Sequence, residues 1–140
     1  MSASSRKVVL DASAVLAWIF NEPGKVVIHR AIPVGVLPTP NAVEVLARAS
    51  ERGYAGSPKD LLEDLQRVGL ELEESTQDDI VRASELIAEA RRLGLGQGWG
   101  ISLGDALCIS VAERLDLPLI GGDKAWDFLA LKVEHRLFRK

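Results

Sequence analysis

Residues 101–115, running from Ile101 to Leu115, constrain this chain more than any other stretch. Their pattern predicts a helix that is apolar nearly all round, and such a helix belongs between other layers of a fold rather than on its surface. One residue resists that burial. Asp105 shares a face with Cys108, Ile109 and Ala112, at i, i+3, i+4 and i+7 spacing. A carboxylate entering apolar surroundings is costly without a partner, a cation or a proton to compensate it. Helix capping offers one account, because Ser102 and Asp105 stand at capping-box spacing and an acid in the first turn complements the helix dipole.

The flanking sequence supplies the layers. Lys7-Val8-Val9-Leu10 predicts a strand ending at Asp11, followed by a helix from Ala12 to Phe20. Asn21-Glu22-Pro23-Gly24 breaks the pattern before a short helix over 25–32. A second strand is expected over 34–37, a turn at Pro38-Thr39-Pro40, and a helix over 41–52 closed by Gly53. Ser57-Pro58 opens a helix with Leu61, Leu62, Leu65 and Val68 on one face, and Leu70-Glu71-Leu72-Glu73 alternates as a strand does. Thr76 or Asp78 starts a long amphipathic helix. A glycine-rich connector, residues 94–100, then leads into the apolar helix; it lacks the lysine and spacing of a phosphate-binding loop. Beyond that helix the pattern gives a strand over 117–120, a helical piece over 124–129 and a last strand over 132–138. Strands alternating with helices predict one α/β domain across residues 1–140, with a mainly parallel sheet covered on both faces and residues 1–6 as a flexible N-terminal segment.

Composition narrows the chemistry. No apolar run reaches the roughly 20 residues of a membrane helix, and the first seven residues lack the apolar region of a secretory signal, so a cytoplasmic protein with no membrane partner is expected. The single cysteine excludes an internal disulfide; two histidines far apart in sequence, His29 and His135, exclude a Cys/His zinc cluster and read as surface or structural residues. A metal site here would rest on oxygen ligands, which points to Mg²⁺ or Mn²⁺. A net charge of −3 offers no broad footprint for nucleic acid, although a local basic rim around an acidic site is compatible with it.

Four acids stand where strands give way to helices, the place where parallel α/β sheets bind ligands. Asp11 follows the first strand, Glu44 lies in the first turn of the helix after the second, Asp105 opens the apolar helix, and Asp123 follows the 117–120 strand. Each has a structural account of its own: an N-cap for Asp11, capping-box spacing for Asn41 and Glu44, a turn for Asp123. Convergence of all four would change the balance. Two unit charges 4 Å apart repel by about 4 kcal/mol at an effective dielectric near 20. A divalent cation or protonation relieves that repulsion.

The segment Val8-Val9-Leu10-Asp11-Ala12-Ser13-Ala14, followed by Glu44, by Ser102-Leu103-Gly104-Asp105-Ala106 and by Asp123, resembles the PIN domain family, and the compact length and Asn21-Glu22-Pro23 segment resemble its VapC-like toxin ribonucleases of VapBC toxin–antitoxin pairs. The resemblance covers about residues 7–137. It implies a three-layer α/β/α sandwich in which Asp11, Glu44, Asp105 and Asp123 are catalytic and bind one or two Mg²⁺ ions (or Mn²⁺). It also implies metal-dependent hydrolysis of RNA phosphodiester bonds, inhibition by a cognate antitoxin protein, and a homodimer. Ser13 and Ser102 would orient ligands or waters, and capping accounts equally for Ser102. The chain departs from the family at Gly121, where a Thr or Ser often stands two residues before the last acid. Asp127, one helical turn on, is a substitute for the fourth acid, and Lys124 a phosphate contact or a solvated lysine. Arg48 and Arg52 read as helix-surface partners of Glu44 or nearby acids, and Trp99 as a surface on which a base could stack.

Two other classes fit the sequence less well. A non-catalytic PIN-like module binding RNA or protein accommodates Gly121 and the acidic pI but leaves the four acids without a purpose. A phosphorylation receiver needs paired acids near the first strand, and an aspartyl phosphatase needs a second Asp where Ser13 stands; neither pattern is present. Trp18, Phe20 and the leucines around Leu61 read as ordinary core, with a partner groove as the alternative.

Overall fold

A computed structural model of the chain describes residues 6–96, 100–122 and 124–139. Asp123, Trp99 and residues 1–5 lie outside them. Among the described residues, β1 (Val8–Leu10), β2 (Gly35–Pro38), β3 (Glu71–Glu73), β4 (Leu119–Ile120) and β5 (His135–Arg136) form one sheet in the order β3-β2-β1-β4-β5. Every pairing is parallel, with Val9 of β1 in register with Val36 on one side and Leu119 on the other. Six α-helices among the described residues connect and cover the strands: α1 (Ala12–Ile19), α2 (Lys25–Ala31), α3 (Thr39–Glu51), α4 (Pro58–Arg67), α5 (Gln77–Arg92) and α6 (Leu103–Leu115).

Strand side chains alternate between faces, and that alternation builds two cores. Val8, Leu10, Leu37 and Ile120 pack with Val15, Leu16, Ile28, Val45, Leu61 and Leu65 from α1 to α4. Val9, Val36 and Leu119 face the other way, against Leu86 of α5, Cys108 and Ile109 of α6, and Trp126. The result is the three-layer α/β/α sandwich expected from the alternation. The apolar helix lies between sheet and α5, with Ala106, Cys108, Ile109, Val111 and Ala112 fully buried. Each fully buried Ile or Leu contributes about 1.5–3 kcal/mol. Trp18 and Phe20 are partly buried against the first core.

Charged pairs fasten α5 to α6. Thr76 and Asp79 form the capping box that opens α5, and the buried Asp79 carboxylate also accepts from Nε of Arg114 at 3.0 and 3.1 Å. Arg82 clasps Glu113 with two hydrogen bonds, of 2.8 and 3.2 Å.

Helix α3 departs from expectation. Pro38-Thr39-Pro40 does not turn the chain; Pro38 is the N-cap, and Pro40 sits in the first turn, where a fixed φ and a missing N–H are tolerated. Asn41 therefore lies inside the helix, with its Nδ2 donating to the Gly104 carbonyl of α6 at 3.2 Å, and Glu44 falls in the second turn. The capping-box account of Asn41 and Glu44 is overturned. The last two strands are shorter than the sequence pattern suggests. Pro118 has no N–H to give a ladder, and only its carbonyl engages, accepting from Val9 N at 2.9 Å.

Candidate active site

The chain winds β1, β2, β3 toward one edge, then returns to place β4 and β5 on the other side of β1. Strand order thus reverses between β1 and β4, and a crevice opens at the carboxyl ends of strands flanking such a point. A cleft of about 330 Å³ lies there, lined by Asp11, Ser13, Glu44, Arg48, Ser102, Asp105, Gly122, Trp126 and Arg139. Three of the four acids picked from the sequence therefore share one cleft; the fourth, Asp123, is outside the described residues.

Asp11 is buried and accepts hydrogen bonds from three groups. As N-cap of α1 it accepts from Ala14 N at 2.9 Å, while Ser13 Oγ donates to both carboxylate oxygens at 2.8 and 2.9 Å. Gly122 N–H donates to Oδ2 at 2.6 Å. Burial raises the carboxyl above its ordinary value, and the donors from Ala14, Ser13 and Gly122, with the charge of Arg139, oppose that rise.

Asp105 is held differently. Its backbone N–H donates to Ser102 Oγ at 3.0 Å, so Ser102 does cap α6. Its carboxyl is pushed up to about 6, by burial first and then by the negative charge of Asp11, with Glu44 adding to the rise and hydrogen bonding from Ser102 opposing it. The same three acids, after burial, push the Cys108 thiol up, which leaves it an inert core residue. Glu44 pairs with Arg48 at 2.7 Å across one turn of α3, and Gly104 lets α6 approach closely: a Cβ there would sit 3.2 Å from Glu44 Oε1.

Hard carboxylate oxygens around an under-neutralised cleft fit a divalent cation in donor chemistry. In geometry, Asp11 spends its oxygens on N–H and O–H donors and Glu44 is paired. Among the described residues no three acidic, His or Cys side chains form a ready-made metal cluster.

Lys124 and Asp127 do not line the cleft; Lys124 is exposed, and Asp127 pairs with His135 at 2.8 Å. Arg52 turns away to Glu22, at 2.8 Å, and over the Phe20 ring. Trp126, Arg139 and the Gly122 N–H are features of the site that the sequence pattern did not single out. The Gly121-Gly122 pair directly after a strand was the available signal, since paired glycines mark close backbone approach. Nothing comparable flags Arg139.

Fold and cleft together define a parallel α/β/α domain with an acidic site at its topological switch point. Residues 8–131 match the PIN domain family, and the chain belongs to it. No curated protein matches in sequence. Among solved structures the chain is similar to a toxin–antitoxin complex from Klebsiella pneumoniae, at 16% identity and a TM-score of 0.66, covering 89% of this chain and 93% of that one. VapBC2 from Rickettsia felis bound to a DNA fragment from its promoter gives 15% and 0.68, covering 93% and 97%. DNA-bound VapBC from Salmonella typhimurium gives 13% and 0.66, covering 95% and 98%. Identities this low speak for the fold.

Proposed function

We propose that this protein is a metal-dependent endoribonuclease, the toxin of a toxin–antitoxin pair. The observation that carries the proposal is Asp105, with its carboxyl at about 6 in a cleft shared with Asp11 and Glu44. Carboxylates gathered in one cleft raise each other's cost of ionisation, and a bound divalent cation would offset that cost. Membership of the PIN family supports nuclease chemistry, and the similarity to structures solved as toxin–antitoxin complexes supports an antitoxin partner. The homodimer rests on family resemblance.

In this proposal Asp11, Glu44 and Asp105, together with Asp123, hold Mg²⁺ or Mn²⁺. Such an ion would supply Lewis-acid polarisation of the phosphodiester and activation of a water at neutral pH. The chain does the rest. Ser13, Ala14 N–H and Gly122 N–H fix the orientation of Asp11, and Ser102 anchors the turn that carries Asp105. Arg48 and Arg139 line the same cleft and offer guanidinium groups to the RNA backbone. Purified protein is expected to cut single-stranded RNA with Mg²⁺, to stop in chelator, and to lose at least about 100-fold in rate in Asp105→Asn. Unchanged cleavage by that variant overturns the mechanism.

The engaged Asp11 and paired Glu44 favour one other reading, a non-catalytic module that binds RNA or protein. Calorimetry separates the two, because a catalytically dead scaffold has no need of Mg²⁺ or Mn²⁺.

A further inference from the structure

The Gly121-Gly122 turn is wedged between two groups. At Gly121 φ is +137°, and a Cβ would lie 2.1 Å from Asp11 Oδ1; at Gly122 φ is +64°, and a Cβ would lie 2.5 Å from the Trp126 ring. From behind, His135 holds the turn. Its Nε2 donates to the Gly121 carbonyl at 2.6 Å and its Nδ1 meets Asp127 Oδ1 at 2.8 Å. Each ring nitrogen thus faces an oxygen, one on the turn and one on Asp127. The ring also packs on Trp126 with centroids 5.2 Å apart, and the side chain is 4% exposed.

The sheet does not need this side chain. Leu119 N to Glu134 O, at 2.9 Å, and Gly121 N to Arg136 O, at 3.0 Å, already pair β4 with β5 through the backbone. The imidazole adds a bond to the one peptide unit whose other end, Gly122 N–H, reaches Asp11 at 2.6 Å. Gly121 C=O and Gly122 N–H belong to a single planar peptide, so fixing one end aims the other. We propose that His135 is a positioning residue of the cleft: clasped between Asp127 and the Gly121 carbonyl, it orients the 121–122 peptide so that its N–H locks the Asp11 carboxylate in place. The consequence for rate rests on the nuclease reading; the orientation of the peptide does not.

His135→Asn, whose amide is too short to reach Gly121, and His135→Gln, which extends a donor to about the position of Nε2, are compared in the full chain by amide NMR and by RNA cleavage in Mg²⁺. In His135→Asn the Gly122 amide proton is expected to move upfield and exchange faster, and kcat to fall about 10- to 100-fold with KM little changed; His135→Gln recovers both. A Gly122 amide that does not move in His135→Asn overturns the proposal, as does one that moves while kcat stays at the wild-type value. Should His135→Asn fail to fold, Asp127→Ala, which removes the acceptor on the exposed side of the clasp, is read by the same two measurements, with the same directions and the same overturning results. Wild-type protein that cuts no RNA sinks the nuclease reading alone, and the Gly122 amide still decides what His135 does.

Discussion

Replacing Gly121 with alanine tests the architecture of the cleft through stability alone. The new Cβ meets the Asp11 carboxylate at 2.1 Å, closer than any real contact, and the backbone there has φ +137°. Holding a non-glycine residue in that region costs about 1–3 kcal/mol. Asp11 is buried and cannot swing into solvent, so relief comes from moving the turn and giving up the 2.6 Å bond from Gly122 N–H. A hydrogen bond to a charged group contributes about 1.5–3 kcal/mol. The combined loss is about 2.5–6 kcal/mol, a large share of the roughly 5–15 kcal/mol that holds a domain folded. Gly53→Ala is the control, because Gly53 has φ +86° but nothing within 4 Å of its Cβ, so it carries strain without a clash. It should lose about 1–2 kcal/mol. In urea titrations with an m-value of roughly 1–3 kcal/mol/M, the Gly121→Ala midpoint should fall by about 1 M or more, and clearly further than that of Gly53→Ala. Equal losses in the two variants would refute the claim that the Gly121 backbone is shaped around Asp11. The same reasoning applies to Gly121→Thr: the hydroxyl residue common in the family would damage this cleft rather than complete it.

Asp105 makes stability depend on pH in an unusual direction. Its folded value of about 6 lies above the ordinary 3.8, so between about pH 4 and 6 the folded state keeps a proton that the unfolded chain has released. That contribution is present in full below the window and is lost as pH rises through 6, by up to about 3 kcal/mol at 1.4 kcal/mol per unit. In chelator, Asp105→Asn should flatten this slope and be the more stable protein at pH 7, while Mg²⁺ should stabilise wild type preferentially; parallel curves for the two proteins refute the assignment. Gly104→Ala should separate stability from metal affinity. The helix gains up to about 1 kcal/mol from losing a glycine, but a Cβ 3.2 Å from Glu44 Oε1 displaces that carboxylate, so calorimetric Mg²⁺ affinity should drop while the melting temperature holds or rises.

Period and alternation carried most of the fold. The β-branched run before Asp11 and the all-round apolar pattern of 101–115 fixed β1 and α6, because burial leaves its imprint residue by residue. Helix starts were legible where a side chain does the capping, as Ser57, Thr76 and Ser102 do, and illegible at α3, where Pro38 caps with no side-chain bond at all. At the site, the sharing of one cleft by Asp11, Glu44 and Asp105 was legible because each follows a strand or opens a helix in the sequence pattern. The partners of those acids were not. Arg139 and His135 come from the far end of the chain, and Gly121 looked like a missing hydroxyl when its hydrogen atom is what admits Asp11.

Capping and cation binding began as rival explanations of the acids, and Asp11 and Asp105 show why the rivalry is false. Asp11 is a working N-cap and a wall of the cleft at once. A helix N-terminus favours an anion by about 0.3–1 kcal/mol, which suffices to seat one acid but is small against the cost of desolvating it beside others. Asp105 displays the imbalance directly: it sits in the first turn of α6, beside its capping serine, and its carboxyl is still driven up to about 6 by burial and by Asp11 and Glu44. Had capping been the whole purpose, the three acids would gain by lying apart, as Asp60 and Asp79 do at the starts of α4 and α5. The helix termini explain why Asp11 and Asp105 are tolerated where they stand, and the ion pair with Arg48 does so for Glu44. In the proposed reading, a bound cation offsets the repulsion that α1, α3 and α6 create by turning their carboxylates into the same cleft.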